Sequence, residues 1–175
     1  MIYTIGHSTH PIEEFLELLR QHGITLLADV RTVPRSRKNP QFNRETLPAS
    51  LGDQGIEYRH LAALGGLRKT SKDSPNLGWR NASFRGYADY MQTQEFVEGL
   101  LALIDLANEQ TVAIMCAESL PWRCHRWLVA DALVVRGIDV EHIMSNGQLR
   151  KHALTSFAVV DGLTVTYPPE GPEES

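Results

Sequence analysis

A chain of 175 residues with 42% hydrophobic side chains and a net charge of −4 has the length and apolar content of one globular domain. No run approaches the ~18–20 consecutive apolar residues of a membrane-spanning helix, and the opening MIYTIGHSTH lacks the basic start and apolar stretch of a secretory leader. Two cysteines, Cys116 and Cys124, are too few for a disulfide framework, so the cytoplasm is the expected location.

The charge is uneven. Arg31, Arg35, Arg37, Lys38 and Arg44 stand between residues 31 and 44 with no acid among them. Arg68, Lys69, Lys72, Arg80 and Arg85 follow between 68 and 85, against Asp73 alone. A basic face on an acidic body suggests an anionic partner, either a small molecule or a nucleic acid. The plain alternative is a pair of solvated basic loops.

In chain order, Ile2 to Gly6 reads as a first strand, with a turn through His7, Ser8 and Thr9. Thr9 is placed to cap a helix with Pro11 in its first turn, and Glu13 and Glu14 suit the positive end of its dipole. Phe15, Leu18 and Leu19 supply the helical spacing, and Gly23 ends it. Ile24 to Val30 is a short apolar run holding Asp29, the pattern of a buried parallel strand.

Residues 31–55 form an excursion through Pro34, Pro40 and Pro48, with a short helix near Glu45 to Leu51. Glu57 to Leu61 suits a third strand, and residues 65–80 a mobile loop. A single long helix is expected from Tyr87 to Asn108. Thr111 to Cys116 is the clearest strand; Pro121 opens a helix that runs to Arg136 and closes at Gly137. Val140 to Met144 is another strand, and Phe157 to Tyr167 a hairpin turning at Asp161-Gly162.

Alternating strands and helices predict an α/β fold: a single three-layer domain over residues 1–167. Its sheet is mainly parallel with helices on both faces, followed by the C-terminal hairpin and a disordered tail at 168–175. Ligands in such sheets sit outside the carboxyl ends of the strands. His7 follows the first strand, Asp29 and Arg31 end the second, and Cys116 with Glu118 ends a later one.

The densest chemistry is CAESLPWRCHR, residues 116–126. It puts a thiol at a strand end, then Arg123, Cys124, His125 and Arg126 at a helix start. Basic residues there oppose the helix dipole, a cost that an anion in the site offsets. Cys116 or Cys124 is a candidate nucleophile, with His7 or His125 as base and Glu118 or Asp29 orienting it. Arg31, Arg35, Arg123 and Arg126 are the candidate anion ligands.

The C-x5-R spacing of cysteine phosphatases is absent, since Arg123 falls one position late. No metal site is expected: the weaker set Cys116, Cys124 and His125 lacks a C-x2-C pair, and adjacent helical residues point about 100° apart. Trp79, Phe84, Tyr87 and Tyr90 beside Arg80 and Arg85 suit either base stacking or core packing. The pattern names no cofactor and no oligomeric state.

TIGHST, ADVRTVPRSR, FRGYADYM, CAESLPWRCHR and HIMSNGQLRKH, with a hairpin ending in Tyr167-Pro168, together resemble the prokaryotic family called domain of unknown function 488. The likeness runs along essentially the whole chain. It implies positions rather than a reaction: the family's recurring polar motifs fall on His7, Ser8, Asp29, Arg31, Arg35, Cys116, Glu118, Cys124, His125 and Arg126. The expectation that follows is an enzyme acting on a phosphate-bearing anion, with a non-catalytic nucleic-acid-binding module or a protein-interaction domain as the competing classes.

Overall fold

Three apolar strands make the centre of the sheet: β1 (Ile2–Gly6), β2 (Leu26–Asp29) and β4 (Val112–Cys116). Successive side chains of a strand point to opposite faces, so each strand feeds two cores. Ile2, Leu26, Ala28, Val112 and Ile114 face one apolar cluster, and Ile5, Leu27, Ala113 and Met115 face the other. The computed structural model describes residues 1–170.

With β3 (Glu57–His60), β5 (Val140–Ile143) and β6 (Leu149–Lys151), the sheet has the order β3-β2-β4-β1-β5-β6. All pairings are parallel except β5 with β6. Helices α1 (Ile12–Gln21) and α2 (Leu47–Gly52) bury Phe15, Leu18, Leu19, Leu47 and Leu51 on one face. On the other lie α3 (Ala82–Tyr90), α4 (Gln94–Glu109) and α5 (Arg126–Val135), through Tyr87, Phe96, Leu100, Leu103, Leu128 and Leu133. The expected α/β architecture stands, including the hairpin of β7 (Val159–Asp161) and β8 (Thr164–Thr166).

Several local expectations give way to local chemistry. The long helix expected from Tyr87 is two helices, because Thr93 turns the chain and caps α4 by accepting from the Phe96 N–H at 3.3 Å. Thr9 does not cap α1; Pro11 occupies that position without a side-chain bond. Pro121 opens a single 3-10 turn, Pro121–Arg123, before α5 begins. The hairpin loop is Gly162-Leu163, with positive φ at Gly162 alone, so Asp161 pairs with Thr164 instead of turning.

The loop at 65–80 is tied down by Asp89, which accepts from the Ser71 N–H (2.9 Å), the Ser74 hydroxyl and Asn76 Nδ2 (2.8 Å). Among the described residues, no helix is long and apolar enough to cross a membrane. Of the tail expected at 168–175, residues 171–175 lie outside the described residues.

Candidate functional site

The chain leaves β1 through α1 to one face and leaves β4 through α5 to the other, although β1 and β4 are neighbours. A crevice must open where such neighbours part, outside their carboxyl ends. Gly6 and Cys116 are partners at this point. A side chain at Gly6 would run into the backbone of Glu118, so the loop after β4 folds directly over the end of β1. The result is a pocket of about 280 Å³ lined by Cys116, Glu118, Arg123, Cys124 and His125, with Arg31 on its far wall. Leu67, Phe84 and Ala117 give it an apolar side.

Both thiols are free and nearly closed to solvent, at 3% for Cys116 and 6% for Cys124. Arg126 joins them. Its Nη1 donates to the Cys116 sulfur, and its backbone N–H, at the start of α5, points to the Cys124 sulfur at 3.5 Å. The guanidinium is fully buried and also donates to the carbonyls of Glu118 (2.6 Å) and Ser119 (3.1 Å).

Burial pushes the Cys116 thiol well up, and the neighbouring Cys124 sulfur adds to this. Burial acts on Cys124 in the same direction, but the hydrogen bond from Cys116 and the positive charge of Arg126 outweigh it and bring Cys124 down to about 7. The pair thus loses one proton from Cys124 easily and keeps the other on Cys116, whose thiol faces the Glu118 carbonyl at 3.7 Å.

His125 lies beside Cys124. Its Nε2 donates to the Val30 carbonyl at 2.8 Å, leaving Nδ1, 3.5 Å from the Cys124 sulfur, as the ring's acceptor. A carbonyl that fixes the tautomer and a nitrogen facing a thiol are the parts of a thiol–imidazole pair. Burial holds His125 below its usual range, so the neutral, proton-accepting ring prevails.

His7, Asp29 and Arg31 gather at the same strand ends but bind one another. Asp29 accepts from Arg31 Nε (3.0 Å) and Nη2 (2.8 Å) and from the Tyr58 hydroxyl (2.6 Å). Arg31 Nη2 also donates to the Phe42 carbonyl at 2.7 Å. His7 Nδ1 donates to the Ser8 carbonyl (2.8 Å), so its Nε2 accepts from Arg31 Nη1 (3.4 Å). Burial drops His7 to about 4. Asp29 therefore anchors Arg31, and of these three only Arg31 lines the pocket, with one Nη1 hydrogen uncommitted.

Arg35 is elsewhere: it is 68% exposed and lies 3.9 Å from Glu45. Arg126 serves the thiols and backbone from within the core, which leaves Arg123 as the exposed guanidinium of the pocket. Among the described residues no three His, Cys, Asp or Glu side chains are grouped to hold a metal. The aromatics pack on one another. Trp79 meets Phe84 at 5.1 Å and Phe157 at 4.8 Å, and Tyr87 and Tyr90 are buried.

Thr32, Gly66 and Ser83 also line the pocket, and sequence reasoning singled out none of them, although Thr32 lies within ADVRTVPRSR. Sequence reasoning also gave no role to Thr4, Asp131, His142 and His152, although Thr4 opens TIGHST and His142 and His152 open and close HIMSNGQLRKH. A signal was present for two of them: Thr4 and Asp131 are lone polar residues in apolar runs, and buried polar groups need partners.

Fold and site together define an open, doubly wound α/β protein with a two-thiol pocket at its switch point. The chain belongs to the family of the domain of unknown function DUF488, whose family model matches residues 11–133. That stretch includes both thiols, Arg126 and Asp131, and the match bears out the resemblance carried by the motifs. No curated protein and no solved structure matches the chain.

Proposed function

We propose that the chain is an enzyme that uses the Cys116–Cys124 pair on a small anionic, phosphate-bearing substrate with an apolar part. The observation that carries this reading is the coincidence, in one pocket at the switch point, of two thiols joined by a buried arginine and an imidazole facing one of them. Cys124 is the nucleophile, His125 Nδ1 takes its proton, and the Val30 carbonyl keeps the ring aligned. Cys116 and Arg126 stabilise the thiolate. Arg123 receives the anion at the rim, the Leu67–Phe84 side takes the apolar part, and the Glu118 carboxylate is the proton-handling group within reach.

The competing nucleic-acid reading keeps exposed cations at 35–44 and at Lys69, Lys72 and Arg80, while Trp79, Phe84 and Phe157 beside them pack on one another. Peptide-resolved alkylation with iodoacetamide across pH, with and without inorganic phosphate, tests the enzyme reading. Labelling of Cys124 with a midpoint near 7, slowed by phosphate, supports it. Sluggish labelling of both cysteines at every pH, indifferent to phosphate, overturns it.

A further inference from the structure

On the far side of Arg126 runs a second set of buried polar groups that the proposed chemistry does not use. Thr4 in β1, His142 in β5 and Asp131 in α5 are fully buried, and His152, just after β6, is 4% exposed. They form one unbroken hydrogen-bonded chain. Arg126 Nε meets Thr4 Oγ1 at 3.2 Å, and Thr4 Oγ1 meets His142 Nδ1. His142 Nε2 meets His152 Nδ1 at 2.9 Å, and His152 Nε2 meets Asp131 Oδ1 at 2.7 Å. Asp131 closes the end by accepting from the Thr155 N–H (3.1 Å), the Thr155 hydroxyl (2.6 Å) and the Tyr167 hydroxyl (2.7 Å).

The direction of every bond follows from its first member. A guanidinium only donates, so Thr4 Oγ1 accepts from Arg126 and must send its own proton to His142 Nδ1. His142 is then an Nε2–H tautomer and donates to His152 Nδ1. His152 is in turn Nε2–H and donates to the Asp131 carboxylate. Reversing the histidines would leave the Thr4 hydroxyl without an acceptor among the described residues. All donors therefore point from Arg126 toward Asp131.

The consequence falls on the thiols. Two backbone carbonyls hold only the Nη side of Arg126, and a fork held on one side can swing. The Nε bond to Thr4 fixes the remaining corner, and with it the aim of Nη1 at the Cys116 sulfur. We propose that Thr4, His142, His152 and Asp131 are positioning residues of the thiol pocket, a polarised relay on the α5 face of the sheet that holds Arg126 against Cys116.

The inference rests on the thiol reading of the pocket. Arginine does not pass protons on, so the relay orients and does not shuttle. The other charged or titratable side chains around the sulfurs are Tyr87, buried beside Cys124 and His125, and His125, Glu118, Arg123 and Arg31 of the pocket lining, and none of them bonds to the relay. His142 itself faces His152, Arg126, Arg150 and the Trp127 ring.

The test compares wild type with Thr4→Val, which keeps the shape and loses the hydroxyl, and Thr4→Ser, which restores it. The readout is the pH midpoint of iodoacetamide labelling of the two cysteines, without phosphate. Thr4→Val raises the midpoint by about one pH unit, a roughly tenfold slower reaction below it, and Thr4→Ser returns it. A folded Thr4→Val that labels like wild type, or a Thr4→Ser that behaves like Thr4→Val, overturns the relay.

Should Thr4→Val fail to fold, nitrogen NMR of the wild-type histidines decides. Nε2–H on both His142 and His152 at neutral pH upholds the relay, and Nδ1–H on either sinks it. Loss of phosphate protection in wild type would strike the proposed substrate and leave this comparison standing.

Discussion

Gly66 lies flat against the imidazole of His125: a Cβ at position 66 would fall 2.5 Å from Nδ1, the atom that faces the Cys124 sulfur. The strand of loop carrying it has little room to retreat, because the Leu67 N–H donates to Thr32 Oγ1 at 3.0 Å and Arg68 Nε holds the Gly65 carbonyl at 3.2 Å. Gly66→Ala must therefore turn the ring away from its thiol. Neutral-pH labelling of Cys124 is expected to fall about tenfold, at a stability cost of roughly 1–3 kcal/mol. Unchanged labelling in a folded variant would separate His125 from the thiol chemistry.

Acid should destabilise the protein early. Burial, assisted by His152 and Arg126, lowers His142 to about 3, and burial lowers His7 to about 4. The unfolded chain takes up both protons near pH ~6.5 while the folded chain refuses them. The stability these two neutral rings contribute is thus complete above that pH and lost as pH falls below it, by about 1.4 kcal/mol per pH unit for each. Urea unfolding at successive pH values should show the slope, and His7→Asn should remove about half of it.

Cys124 produces the opposite window. Between its folded value near 7 and the ordinary thiol value of 9, the unfolded state binds the extra proton. Stability from this group is present above pH 9 and is lost as pH falls toward 7, at up to about 1.4 kcal/mol per unit. Cys116, raised well above 9, works against stability once the pH exceeds that value. Melting curves of wild type and Cys124→Ser should diverge between these limits, and parallel curves would deny the lowered Cys124 thiol.

Arg126 is the most exacting position to replace. Arg126→Met leaves the Cys116 sulfur, the Thr4 hydroxyl and the carbonyls of Glu118 and Ser119 without their donor, for an expected loss of about 3–5 kcal/mol. Arg126→Lys keeps the charge without the fork and should still lose at least about 2 kcal/mol. Denaturant midpoints decide both. A lysine variant as stable as wild type would mean that charge alone is what the core requires there.

The central strands were legible because β1, β2 and β4 are apolar runs of the right length, and the strand-end rule led to Cys116 and Cys124. The break between α3 and α4 was hidden because apolar spacing continues from Tyr90 through Phe96 and Leu100; Thr93 followed by Gln94 and Glu95 was the one cue. Strand β6 has three exposed residues and no pattern to read. At the site, location was easier than role. His7, Asp29 and Arg31 were correctly placed near one another, but only three-dimensional distances reveal that Asp29 and His7 are occupied with Arg31. The relay joins residues 4, 131, 142 and 152, a separation no local spacing encodes.

The sheet ends in β3 on one side and β6 on the other. Both are short, and their outward residues include Glu57 and Arg59 on the first and Arg150 and Lys151 on the second. A foreign strand that docked on either border would have to strip water from these charges to gain three or four backbone bonds. The borders therefore discourage edge-to-edge association and fibril growth, and a newly made chain can close its sheet around the thiols with little risk of recruiting its neighbours.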